Sequence, residues 1–155
     1  MKTKTIARLM GALVVAAFVS SCGGGSDFQP RDLAYSYVEG DFYGDWPVQV
    51  YAARTRPEWI AIWDHHDPLQ YPPPDMPEVD FSAYIVAGIS LGWGASGCHG
   101  MAIDQVREEE SQVRVTYRRV LPGPLMICTA SLVPLVAFLK IPATTKPVLF
   151  NESGA

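Results

Sequence analysis

A chain of 155 residues in which 48% are hydrophobic is long enough to bury a real core, and one domain is the default expectation. Sixteen acids against twelve bases argue against nucleic acid or an anionic lipid surface as a partner. Three cysteines leave one over from any pairing, so at least one of them needs a separate explanation.

The N-terminus supplies it. Lys2, Lys4 and Arg8 precede an uncharged apolar run from Leu9 to Val19, the layout of a secretory signal, and the run is too short for the ~20 residues a bilayer-spanning helix needs. It ends in Val19-Ser20-Ser21-Cys22, the small residues before cysteine that lipoprotein processing reads. Residues 1–21 are therefore expected to be a lipoprotein signal peptide and Cys22 the lipidated residue, with an ordinary signal peptide as the alternative. Residues 22–30, opening with Gly23, Gly24, Gly25 and Ser26, read as a flexible tether. The expected location is the bacterial cell envelope, with the domain outside the cytoplasm. In a Gram-negative host, Gly23 in place of aspartate after the cysteine favours the outer membrane over the inner. Taking 21 residues from 155 leaves 134, and taking the three signal bases from twelve leaves nine against sixteen acids, a formal charge of −7. With Cys22 assigned to lipid, Cys98 and Cys128 remain as one pair, expected to be disulfide-bonded in an oxidising compartment, with two buried thiols as the alternative.

Along the chain, 27–46 mixes Tyr35, Tyr37, Phe42, Tyr43 and Trp46 with glycines and acids and reads as an extended, partly packed lead-in. Val48 to Ala52 alternates as a strand. Thr55-Arg56-Pro57-Glu58 is a capping box with proline in the first turn, opening a helix that is expected to reach about His66 with Trp59, Ile62 and Trp63 on one face. Prolines at 72, 73, 74 and 77 make a stiff crossing. Expected strands follow at 84–91, with both faces covered, at 100–106, and at 113–120, joined across a polar hairpin tip at 108–111. Val113, Val115 and Tyr117 alternate with Arg114, Thr116 and Arg118, giving one buried and one wet face. The uncharged run Val120 to Leu139 has the length of a membrane span, but Pro122, Pro124 and Pro134 break it. Two buried strands, 125–128 and 135–141, are expected there instead, then a last one at 148–150 and a tail at 151–155. The fold class is α+β, mainly antiparallel β, with one short amphipathic helix packed on a β-sandwich-like or strongly twisted sheet in a globular domain of residues 31–150.

No constellation of catalytic residues stands out. Gly92-Trp93-Gly94-Ala95-Ser96-Gly97 matches a dinucleotide fingerprint, but a strand rather than a helix follows it. A strand-to-strand loop with glycines for positive φ or close approach is the expected structure. Ser96 and His99 suggest a hydrolase, yet residues three apart lack a third orienting group and are poorly placed to pair. Asp64, His65, His66 and Asp67 are consecutive, so they diverge rather than converge on a metal, and helix capping is the expected role. Glu108, Glu109 and Glu110 read as a solvated cluster. No metal, small-molecule cofactor or nucleic acid is expected, and a binding domain is favoured over an enzyme.

The stretches EWIAIWDHH, VDFSAYIVAGISLGWGASGCHGMAI, VRVTYRRV, MICTASLVPLVAFLKIP and PVLF together resemble the PrcB C-terminal domain family, accessory lipoproteins of a bacterial surface protease complex. The shared cues are tryptophans on a short helix, V-D-F opening the first long strand, a G-x-x-x-x-G loop, a cysteine ahead of a proline, and a closing L-K-I-P then V-L-F. They cover residues 57–150. Members often carry Gly-Gly-Tyr where this chain has Gly97-Cys98-His99, which leaves open any contact made by that aromatic. The resemblance implies a non-enzymatic partner of an exported protease that stabilises, tethers or modulates it. A glycine-containing loop between strands, flanked by an indole, is suited to docking, so the Trp93–His99 loop (Trp93, Ser96, His99) is the candidate surface, with Trp93 as a cap on the core the alternative. A standalone protease-inhibitor-like domain using the same loop is the alternative, and an enzyme of unknown type a lesser one.

Overall fold

The computed structural model describes residues 28–65 and 75–154. The signal, Cys22, most of the tether, and His66, Asp67 and Pro72 to Pro74 lie outside the described residues.

Among the described residues eight strands and one helix follow in order: β1 (Arg31–Asp32), β2 (Ser36–Tyr37), β3 (Gln49–Ala53), α1 (Arg56–Trp63), β4 (Tyr84–Gly94), β5 (Gly100–Glu108), β6 (Val113–Val120), β7 (Val133–Pro142) and β8 (Val148–Glu152). They form two four-stranded sheets, ordered β1-β5-β6-β8 and β2-β7-β4-β3. Every pairing is antiparallel except β6 with β8, which is parallel. The fold is α+β, as the pattern of one helix and many strands requires.

Two apolar layers hold it together. Ile85, Ala87, Ile89, Leu139 and Ile141 of one sheet meet Ile103, Val106, Val113, Val115 and Tyr117 of the other. Behind β4 and β7, Val86 and Phe138 meet Tyr51, Trp59, Trp63, Val38 and Trp46. β4 is thus covered on both faces, and residues 85–90 are all buried. On β6, Val113, Val115 and Tyr117 face inward as alternation demands, and the intervening side chains are more exposed.

The helix begins where its capping box says. Thr55 Oγ1 accepts from Glu58 N at 3.4 Å, and Glu58 Oε2 accepts from Thr55 N at 3.1 Å. Trp59 and Trp63 are buried, with Ile62 packed beside them. The helix closes at Trp63 with Asp64 as its C-cap residue, short of the expected reach. Among the described residues no group of three or more possible metal ligands forms, and the His65 ring lies 6.1 Å from that of Trp46 and 6.4 Å from that of Tyr51.

Four expectations need correction. Residues 125–128 form no strand but part of an exposed loop between β6 and β7, so Val120 to Leu139 contains one long strand rather than two buried ones. β8 runs on through Asn151 and Glu152, which pair with Thr116 and Tyr117, where a tail was expected. The glutamates of the β5–β6 tip are not merely solvated. Glu108 binds Arg31 Nε at 2.8 Å and Lys146 Nζ at 2.9 Å, and Glu109 takes Arg114 in a fork at 2.7 and 3.0 Å. Finally, Ser96 and His99 do pair, as described below.

Candidate functional site: the disulfide-tied end

The end of the sandwich away from Lys146 is built by two loops, residues 95–99 between β4 and β5 and residues 121–132 between β6 and β7. Cys98 and Cys128 join them in a disulfide with Cα atoms 5.5 Å apart. Gly97 N also donates to Thr129 O at 3.1 Å. The glycines permit this closeness. A Cβ on Gly97 would strike Thr129 Oγ1, and one on Gly94 would come within 2.5 Å of His99 Cβ, while Gly92 sits at φ +79°. These are the close approach and positive φ expected of the G-x-G-x-x-G stretch, now without any helix to hold a phosphate.

A bulge aims Trp93. The β4–β7 register slips by one residue between Ser90 and Trp93, so the strand's alternation inverts there. Leu91 packs toward the inter-sheet core, whereas Trp93 emerges beside Tyr43 with ring centroids 5.5 Å apart and 40% of its surface exposed. Buried Ser90 fixes the bulge by donating to Trp46 O at 3.2 Å while its Oγ accepts from Gly92 N at 3.3 Å. Trp93 is therefore not a plug of the core.

Ser96 Oγ and His99 Nδ1 lie 2.8 Å apart, and His99 N donates to Ser96 O at 3.0 Å. A tight turn, not a strand, places them, which is how residues three apart come to meet. Nucleophilic catalysis needs the base to be oriented by a third group. Among the described residues no carboxylate is ion-paired with His99. The pair closes the turn with both its backbone and its side chains.

The side chains that sequence reasoning missed lie on the partner loop. Leu125 is 95% exposed and Ile127 98%, and Leu121, Met126 and Leu132 are exposed with them. Apolar composition alone predicts burial for them, a rule that runs only one way. The usable signal was the spacing of Pro122, Gly123 and Pro124 ahead of them, which denies a ladder its donors. No charged residue occurs between Asp80 and Asp104 or between Arg119 and Lys140, the segments that supply both loops.

The opposite end is polar. Lys146 Nζ contacts Glu108, Glu109 O at 2.7 Å and the Phe28 ring at 4.1 Å from its centroid. Together with Arg31 it holds the Glu108 carboxyl below the usual carboxylate range, the Lys146 hydrogen bond being the larger cause. A hollow of about 500 Å³ nearby is lined by Arg54, Phe81, Ile85 and Ala143 to Lys146. Its Arg54 is spent on the carbonyls of Thr144 and Lys146. Compared with protein-family models, curated proteins and solved structures, the chain shows no match.

Proposed function

We propose that the protein is a lipid-anchored component of the bacterial cell envelope, carried on Cys22, that works as a non-enzymatic binding module for an exported protease. The resemblance to the PrcB C-terminal domain family supports the choice of partner, and the N-terminal signal supports the location. The observation that carries the reading is the presentation of Trp93. A bulge turns the indole out of the core, Tyr43 backs it, and the Ser96–His99 turn stands beside it on a loop fixed by a disulfide. Rigid aromatic anchors beside a few polar groups are what protein interfaces use most.

The test is photocrosslinking in the native envelope from positions 93 and 99, with position 145 as a surface control. Recovery of a protease from the first two and not the third is the expected result. If the three positions capture the same background, the docking surface is elsewhere and the reading falls.

A second reading, an inhibitor that blocks a protease cleft, is favoured by one feature. The loops are tied together by a cystine and the β6–β7 loop is strongly exposed, a form in which a loop enters a cleft at low entropic cost. Adding purified mature protein to an endopeptidase assay separates the two: inhibition in trans selects the inhibitor, stabilisation or no effect the accessory module.

A further inference from the structure

The β6–β7 loop stands apart, since among the described residues nothing covers Leu125, Met126 or Ile127. We propose that this tip dips into the apolar layer of a lipid bilayer, so that the domain touches the membrane at a second point besides the anchor. The inference goes beyond the protein-docking reading, which concerns Trp93 and the neighbouring loop, and it shares with that reading only the lipid on Cys22.

Three observations favour a bilayer over a protein groove. Residues 125, 126 and 127 are consecutive and all exposed, with Leu121 and Leu132 exposed on the same loop. Three apolar neighbours in a row are exposed together, and a groove covers one side of a loop while a bilayer surrounds it. Immersing the tip would also desolvate no charge of its own, because residues 95–99 and 121–132 carry none, although the mature chain is strongly acidic overall and Asp41 and Asp45 flank Tyr43. Behind the tip sit Tyr43 and Trp93, both half-exposed, the amphipathic ring types that settle at the headgroup level. The Cys98–Cys128 bridge and the Gly97–Thr129 hydrogen bond keep the aliphatics from folding back onto the sandwich.

The chain preceding the described residues makes the membrane available and sets the orientation. Cys22 is six residues from Phe28, a reach of at most about 20 Å. Arg31 pairs with Glu108 at the far end of β5, whereas the tip lies beyond Gly100 at its near end, about 30 Å away along nine strand residues. With both points engaged, the domain lies along the membrane rather than standing on it.

The experiment uses the chain from residue 22 with Cys22→Ser, so that only the tip can hold it to lipid, and sedimentation with phosphatidylcholine vesicles at millimolar lipid. Partitioning is expected, unchanged by high salt, and Leu125→Asp with Ile127→Asp should weaken it at least ~100-fold. Ile60→Glu, which adds a charge to an exposed apolar side chain on α1, should leave it unaltered. In a Leu125→Trp variant the new indole should shift to shorter wavelength and be quenched by bromine-labelled acyl chains. Absence of partitioning by the parent chain, or equal partitioning by the aspartate variant, overturns the proposal. So does loss of partner crosslinking in that variant with vesicle binding intact, which would give the tip to the protein partner. Intact crosslinking from position 93 beside absent vesicle binding would sink this inference alone.

Discussion

The ring of Phe138 is the most demanding object in the fold, and it depends on a glycine. Phe138 is buried, with ring centroids of Phe42, Trp59, Trp46 and Tyr51 at 5.0, 5.1, 5.2 and 5.6 Å. It lies flat on β4 because Gly88 has no side chain; a Cβ there would strike Cδ1 and Cε1 of the ring. Phe138→Ala should cost about 5 kcal/mol, the top of the range for a buried phenylalanine, because four aromatic contacts are lost with the area. Gly88→Ala alone should cost about 1–3 kcal/mol, since the surrounding rings leave Phe138 nowhere to go. In the Phe138→Ala background the new methyl enters vacated space, so Gly88→Ala should there be close to neutral, a coupling of at least ~1 kcal/mol. Urea unfolding of the four proteins, followed by tryptophan fluorescence and circular dichroism, measures it. Additivity within ~0.5 kcal/mol would refute the claim that glycine 88 exists for this ring.

Mass analysis without reductant should find no alkylatable thiol at 98 or 128, and replacing both by alanine should lower stability by roughly 3–4 kcal/mol for a separation of 30 residues. Thr55→Ala removes the hydroxyl that accepts from Glu58 N and should cost about 1 kcal/mol in the same unfolding assay. Acid should weaken the polar end. Because the Glu108 pKa is depressed in the folded state, its contribution is present above the ordinary glutamate pKa of about 4.3 and is lost as pH falls below it. Glu108→Gln should accordingly flatten the fall of stability as pH drops below the ordinary glutamate range, and an unchanged slope would place the sensitivity in another carboxylate.

What could be read from the chain was local. The Thr55 capping box, the alternation of 113–120 and the doubly covered run of β4 each depend on residues close in sequence, and each is where it was expected. The misses needed partners from elsewhere. An extra residue at Asp104 lets Ile103 and Val106, three apart, both face the core, and a bulge before Trp93 turns that indole outward. No periodicity within one strand announces either. The parallel return of β8 to β6 depends on the path after β7. The edge of β5 is completed from the lead-in, where Tyr35 donates to Ile103 O at 3.1 Å and Ile103 N donates to Tyr37 at 3.4 Å. At the candidate site the cysteine pairing was legible from counting, whereas the exposure of Leu125 and Ile127 was not, because hydropathy alone does not distinguish a buried strand from a proline-set loop.

The disulfide joins neighbouring loops, yet what it encloses is larger: the whole of β5, the hairpin tip and β6 lie between its two cysteines. A single cut anywhere from residue 99 to 127, at the tip or in the exposed aliphatic loop, would leave two fragments held by one covalent link and by the β4–β7 ladder. Such a cut would therefore release neither fragment from the other. Nicked molecules would run as one species on a non-reducing gel and as two once reduced.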